Sequence, residues 1–245
     1  MLALLADLHA NLEALEACLA HARAQGATRH ALLGDFVGYG PDPGAVVDEV
    51  RRLAKGGARA VKGNHDEAVE GGGPYMNHSA RASIAWTRGV LDEGQRRFLE
   101  ALPLALRDDV GCFTHASADR PERWTSVDSP SAAARAIEAA GSAYAFCGHV
   151  HEQRLYFENS PGRVTAFRPT AGTSIPMPRH RRWLAIAGSV GQSRDGDARA
   201  AYALLDEERR RITFHRVPYD NRAVADKMER AGLPAALVYR MRHGA

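Results

Sequence analysis

The chain has 245 residues, a net charge of +3 and 45% hydrophobic residues, enough to bury a core without disulfides or a structural metal. Its three cysteines, Cys18, Cys112 and Cys147, are too scattered for a disulfide framework and read as small buried hydrophobes. No stretch approaches the ~18 apolar residues of a membrane span, and the apolar run 1–6 is too short for a signal peptide, so a cytoplasmic protein with no membrane partner is expected.

In chain order, residues 2–6 form an apolar run ending at Asp7 and read as a buried strand. Asn11 can cap the helix that follows, whose apolar face carries Leu12, Leu15 and Leu19, and Gly26 closes it. A second apolar run, 30–33, ends at Gly34-Asp35. Asp42 as cap and Pro43 at the first position start another helix, with Val46, Val50 and Leu53 as its stripe and Gly56-Gly57 at its end. Residues 59–62 are a third strand, running into Gly63-Asn64-His65-Asp66. Asp35 follows Asp7 by 28 positions and Asn64 follows Asp35 by 29, close to the roughly 30 residues of one βαβ step. All three therefore fall at the C-terminal ends of consecutive parallel strands, where open α/β sheets place their sites.

Residues 77–101 read as helical, with Asp92 capping a second segment. From Val110 onward short strands dominate, over 111–114, 144–147, 164–167, 183–187, 200–205 and 211–217, with one helix at 131–140 among them. A terminal helix over 221–231 is stopped by Gly232 and Pro234. Strands on both sides of a helical middle predict one domain of two packed sheets with helices outside.

Five motifs follow apolar runs: Asp7-Leu8-His9, Gly34-Asp35, Gly63-Asn64-His65-Asp66, Thr114-His115 and Gly148-His149-Val150-His151. One Asp at a strand end is commonly a helix cap, and one His there is commonly a satisfied polar residue. Capping does not account for five in order. Phosphoester hydrolysis needs a strong nucleophile, charge neutralisation at phosphorus and an acid for the leaving oxygen, and two divalent cations ~3.5–4 Å apart supply the first two. Imidazole and carboxylate donors without thiolate suit Mn, Fe, Zn or Ni.

This order of motifs resembles the calcineurin-like metallophosphoesterase superfamily, in its small bacterial and archaeal branch. The match is carried by Asp7-Leu8-His9-Ala10-Asn11, the stretch from Gly34 to Pro43, and the motifs up to His151. The resemblance implies a four-layer α/β/β/α sandwich of two mixed β-sheets flanked by helices. It implies a single domain over 1–245, with a strand-helix extension from about 199. It also implies that Asp7, His9 and His151 bind one metal, that Asn64, His115 and His149 bind another, and that Asp35 bridges them. A hydroxide between the metals would attack phosphorus in line. His65 would stabilise the phosphoryl group or protonate the leaving oxygen, and Asp66 would either orient its ring or cap the helix. Two divalent ions per chain, Mn first, are the expected cofactors. Ala10 and Ala116 stand where Gly is common, without loss of a ligand.

Asn11, Tyr39, Gln192 and Arg194 are candidate substrate contacts, with a helix cap as the plainer reading of Asn11 and a hairpin loop that of 188–195. Tyr75, Asn77, His78 and Arg81 lie in a segment that could cover the site. His21, His30, His180, His215 and His243 are assigned to surface or packing. The expected substrate is a phosphate-ester small molecule or nucleotide. Phosphoproteins, dinucleoside polyphosphates and a catalytically silent scaffold are the alternatives, and the retained motifs argue against the last. Arginine clusters at 179–182 and 209–211 read as a solvated face, because 7% aromatic residues give no clear nucleic-acid surface.

Overall fold

All four residues of β1 (Leu2–Leu5) are buried, which a strand achieves only when both its faces are covered. Leu2 and Leu4 point one way and Ala3 and Leu5 the other, and the two sets join different cores. The computed structural model describes residues 1–71 and 76–244 and shows what covers each face. Tyr75 lies outside the described residues.

The chain runs β1, α1 (Leu12–Ala24), β2 (Arg29–Leu32), α2 (Pro43–Lys55), β3 (Arg59–Ala60) and the short α3 (Asn64–Ala68). Then come α4 (His78–Val90), α5 (Glu93–Glu100), β4 (Ala105–Arg107), β5 (Cys112–Thr114), α6 (Pro130–Ala140) and β6 (Tyr144–Cys147). The remainder is β7 (Gln153–Ser160), β8 (Arg163–Phe167), β9 (Ser174–Pro176), β10 (Trp183–Ala187), β11 (Ala200–Asp206), β12 (Arg211–Val217), α7 (Asn221–Arg230) and α8 (Ala235–His243).

Two six-stranded mixed sheets result, in the orders β3-β2-β1-β11-β12-β9 and β4-β5-β6-β10-β7-β8. The first three strands are parallel, as the two βαβ steps require. In the second sheet β5, β6 and β10 are parallel. Leu2, Leu4, Ala203 and Phe214 of one sheet meet Phe113, Phe146, Trp183 and Ala185 of the other in the central core. Ala3, Leu5 and Tyr202 face Leu15, Cys18, Val46 and Val50 of α1 and α2. Cys147, Leu184 and Ile186 face Ala133, Ala136 and Ile137 of α6. The expected α/β/β/α sandwich is therefore present. All three cysteines are buried and unpaired.

Several local expectations needed correction. The helix at 221–231 is not terminal: after Gly232 the chain turns at Pro234 into α8, which packs back on α7. Asp42 makes no side-chain cap; its carboxylate pairs with Lys227 Nζ at 2.8 Å, tying α2 to α7. All three residues of the short β4 are half-exposed or exposed, and β9 contains Pro176, so neither shows strand periodicity. Pro176 is tolerated because β9 is an edge strand. From residue 199 the chain supplies β11 and β12 to the interior of the first sheet before the two helices.

The sheets are also joined by one polar residue. The buried Gln153 amide donates to the carbonyls of Ala187, in the second sheet, and of Tyr202 and His215, in the first, at 3.0–3.3 Å. Its Oε1 accepts from Arg216 Nε. Gln153→Leu should lower unfolding free energy by about 1–3 kcal/mol, because the carbonyls stay buried without their donor. Urea denaturation measures this, and an unchanged midpoint would show that the tie carries no stability.

Candidate metal centre

The parallel strands β1, β2 and β3 of one sheet and β5, β6 and β10 of the other end at a common edge. Their exit loops are stitched together by backbone bonds. Asp7 N donates to Gly34 O, His9 N to Asp35 O, Gly148 N to His115 O, and Val190 N to Ala6 O, all at 2.9–3.0 Å. Such close approach needs unusual backbone. Of ten non-glycine residues with positive φ among the described residues, seven are here: Asp7, His9, Ala10, Asp35, Tyr39, His149 and His151. Left-handed conformations at non-glycine residues cost energy and persist only where surrounding contacts impose them. Glycine serves where even that is insufficient. A Cβ on Gly63 would collide with the backbone N and Oδ1 of Asp35, and one on Gly38, at φ +81°, would collide with His65 Nδ1.

The side chains converge on Asp35, itself 1% exposed. Its Oδ2 lies 3.3 Å from His115 Nε2 and 3.7 Å from His9 Nε2, while Oδ1 accepts from His65 N at 2.8 Å. On one side, His9 Nε2, His151 Nε2, Asp7 and Asp35 form a group whose donor atoms all lie within 4.8 Å of one another. On the other, Asp35, His115 and His149 form a second such group, and Asn64 Oδ1 is 3.1 Å from His115 Nε2. Asp35 is common to both.

The tautomers indicate what these groups lack. His9 Nδ1 faces Val37 O at 3.1 Å and His151 Nδ1 faces Gln192 O at 2.5 Å, so each neutral ring donates its proton to a carbonyl. Their Nε2 lone pairs then point at each other across 3.1 Å with no proton between them. Burial holds both rings well below the usual imidazole range, which opposes protonation as the remedy. A cation held by both nitrogens relieves the contact. On the other side His115 Nδ1 faces Leu33 O, and its Nε2 faces Asp35, Asn64 Oδ1 and His149 Nδ1 together. Burial opposes a charge on His115, but Asp35 and then Asp7 more than reverse this and raise it to about 9. Burial, aided by His115, brings His149 down to about 3. Asp7 is pushed up to about 7 by burial, with His115 pulling against it and Asp35 adding to it. Burial likewise pushes Asp35 up, but the facing His115 and His65 rings hold it well below the carboxylate range. The residues present fit a metal site with donors of nitrogen and oxygen only.

The other candidates divide. His65 is buried in the centre, its ring 4.5 Å from Tyr39 and 4.9 Å from His9. Asp66 does not orient that ring: Oδ2 accepts from Gly63 N and Oδ1 from Phe36 N, both at 2.8 Å, so it caps α3 and braces the Asp35 loop. His65 Nδ1 has no partner among the described residues. Asn11 likewise caps α1 through Ala14 N and spends its amide on Gly191 O, committing it to structure. Tyr39 is buried against His9, and Arg194 Nη2 donates to its hydroxyl at 3.3 Å. Gln192 supplies the carbonyl for His151 and buries its own amide without partners. Asn77 is the cap of α4, and His78 at its start is exposed. Two residues went unread in the sequence. Trp124 donates to Glu67 Oε2 at 2.9 Å and sets its ring 5.9 Å from His115, and Ser83 accepts from Tyr39 N at 3.1 Å. Trp124 lies in a segment without motif or period, and Ser83 on a helix whose period marks no chemistry, so only the fold reveals their places.

Residues 1–210 match the family model of the calcineurin-like phosphoesterase superfamily domain. An uncharacterized protein of Methanocaldococcus jannaschii is 32% identical over 98% of this chain and 97% of its own length. The crystal structure of a metallophosphoesterase from Sphaerobacter thermophilus is similar with a TM-score of 0.89 at 35% identity, covering 100% of this chain and 98% of that one. A hypothetical protein from Pyrococcus horikoshii shares the fold at a TM-score of 0.79 and 20% identity, covering 100% and 99%. Among the described residues no helix is long and apolar enough to cross a membrane. The chain belongs to the calcineurin-like phosphoesterase superfamily and is a metallophosphoesterase.

Proposed function

We propose that the chain hydrolyses phosphate esters of small molecules or nucleotides with two divalent transition-metal ions. Asp7, His9 and His151 hold one, Asn64, His115 and His149 hold the other, and Asp35 bridges them. The observation that carries this reading is the pair of facing Nε2 atoms of His9 and His151, 3.1 Å apart, with each Nδ1 committed to a carbonyl. The mixed imidazole, carboxylate and amide donors suit Mn, with Fe, Zn or Ni also accommodated. When bound, the ions supply Lewis acidity that activates water and neutralises charge on the phosphoryl group.

His65 is the non-ligand partner. Burial brings its ring down to about 4 despite Asp35, with His115 and Arg194 adding to the fall. The ring is neutral at pH 7 and acts as an N–H donor toward the phosphoryl or leaving oxygen. Tyr39 and the close approach of Gly38 hold it in place. Asp66 supports it through the backbone of α3. Arg194 and Gln192 reach the centre from the loop after β10 and contact substrate.

Treatment with strong chelator should abolish hydrolysis of p-nitrophenyl phosphate and of its bis ester, and Mn²⁺ should restore it; activity that survives chelation contradicts the metal reading. Asp35→Asn removes the shared charge, so it should lose both activity and bound metal, measured by elemental analysis. His65→Ala should lower kcat by roughly 10²–10⁴-fold while metal content stays at the wild-type level. Loss of the metals in that variant would make His65 a ligand instead.

Metal uptake should also expel protons. His115, raised to about 9, and Asp7, raised to about 7, both hold protons more tightly in the metal-free protein than as ligands. Mn²⁺ affinity should therefore rise with pH through pH 7 and level off above about pH 9. Calorimetry in buffers of different ionisation heat reads the released protons directly, and a pH-independent affinity would show that neither group is displaced.

A further inference from the structure

The loop that follows His115 carries backbone strain at two residues. A single helical turn over Pro121–Arg123 is bracketed by Arg120 and Trp124, both left-handed, with φ of 52° and 53°. A bulky residue with positive φ is a conformational outlier and persists only where its surroundings impose it. The loop is closed on itself by Ser117 N, which donates to Thr125 O at 3.0 Å. Trp124 is thereby turned inward and is 5% exposed, although Arg123 and Thr125 on either side face solvent.

Both parts of the indole are engaged. Nε1 donates to Glu67 Oε2 at 2.9 Å, and the ring crosses the His115 imidazole at 66° with centroids 5.9 Å apart. Glu67 comes three positions after Asn64 on α3, so the two share one face of that helix. Asn64 Oδ1 in turn lies 3.1 Å from His115 Nε2. The contacts close a ring, from Trp124 to Glu67, along α3 to Asn64, across to His115 and back to Trp124. Its halves belong to different sheets, because α3 follows β3 of the first and His115 follows β5 of the second. With five residues, α3 is too short to be stable by itself. Asp66 fixes its start, and Arg88 Nη2, on Ala68 O at 3.0 Å, fixes its end. Those bonds anchor the ends of α3, whereas the Trp124 bond fixes the face that carries Asn64.

We infer that Trp124 is a positioning residue for the second proposed ion: its indole N–H holds Glu67, and through α3 holds Asn64, at the separation from His115 that two ligands of one ion need. The inference rests on the proposed two-ion centre. It can fail separately, because Asp7, His9 and His151 of the first ion stand outside this ring of contacts.

Trp124→Phe keeps an aromatic ring and removes the N–H. Calorimetric titration of the metal-free variant with Mn²⁺ should show the second ion bound about 10–100-fold more weakly, with the first unchanged. Asn64→Ala identifies which binding step belongs to the second ion. Glu67→Gln keeps an oxygen that accepts from the indole and should retain most of the affinity, whereas Glu67→Ala should lose it. In the Trp124→Phe background Glu67→Ala should cost little more, since the bond is already gone. Equal weakening of both ions, or affinities unchanged in Trp124→Phe whatever its urea midpoint, overturns the inference and leaves the centre intact. A loss in Glu67→Gln as large as in Glu67→Ala overturns it too, because the charge rather than the bond is then responsible. Wild-type protein that binds one Mn²⁺ or none contradicts the two-ion centre itself, and the inference falls with it.

Discussion

A carboxylate buried among imidazoles is the constraint on which this structure turns. Asp35 is removed from water, and its charge is costly unless positive charge or donors are brought to it. The His65 backbone N–H and the protonated His115 ring partly meet that need. The rest of the site is short of positive charge. Two neutral rings aim lone pairs at one another, and the single Nε2 proton of His115 faces three acceptors. Calcineurin-like phosphoesterases answer that deficit with metal ions, and the nitrogen and oxygen donors here suit the same answer.

Assembling such a cluster requires six loops from two sheets within hydrogen-bonding distance. Regular strand ends would not meet so closely. The chain accepts left-handed backbone at Asp7, Asp35, His149 and His151, and deletes side chains at Gly63 and Gly38. The energy for this comes from elsewhere, from the core between the sheets and from the helices that cover both outer faces. Even side chains with an apparent role in chemistry are spent on bracing. Asp66 and Asn11 hold loops and helix starts rather than facing the reaction.

The parts legible in the sequence were those governed by local rules. Runs such as 2–6 and 183–187 are apolar on both faces, so their strands are evident, and the 28- and 29-residue steps place Asp7, Asp35 and Asn64 at one edge. What sequence could not disclose depends on distant partners. Strand β7 mixes buried Leu155 and Tyr156 with polar residues and is defined by pairing with β10 and β8. Trp124 acquires its place only because α3 brings Glu67 to it. Asp42 sits where a cap belongs, but a lysine 185 residues further along captures its carboxylate.

The pairing of β1 with β11 has a consequence for how the molecule is made. Strand β1 is the third of six in its sheet, with β2 on one side and β11, some two hundred residues later, on the other. A ribosome releases Asp7 early, yet the backbone of Ala6 and Asp7 is pinned by Val190 and Gly191, and the strand beside it is completed by residues 200–206. The nascent βαβ unit therefore waits with an unpaired apolar edge until most of the chain has emerged. Long-range closure of this kind slows folding and leaves that edge open to chaperones until β11 arrives.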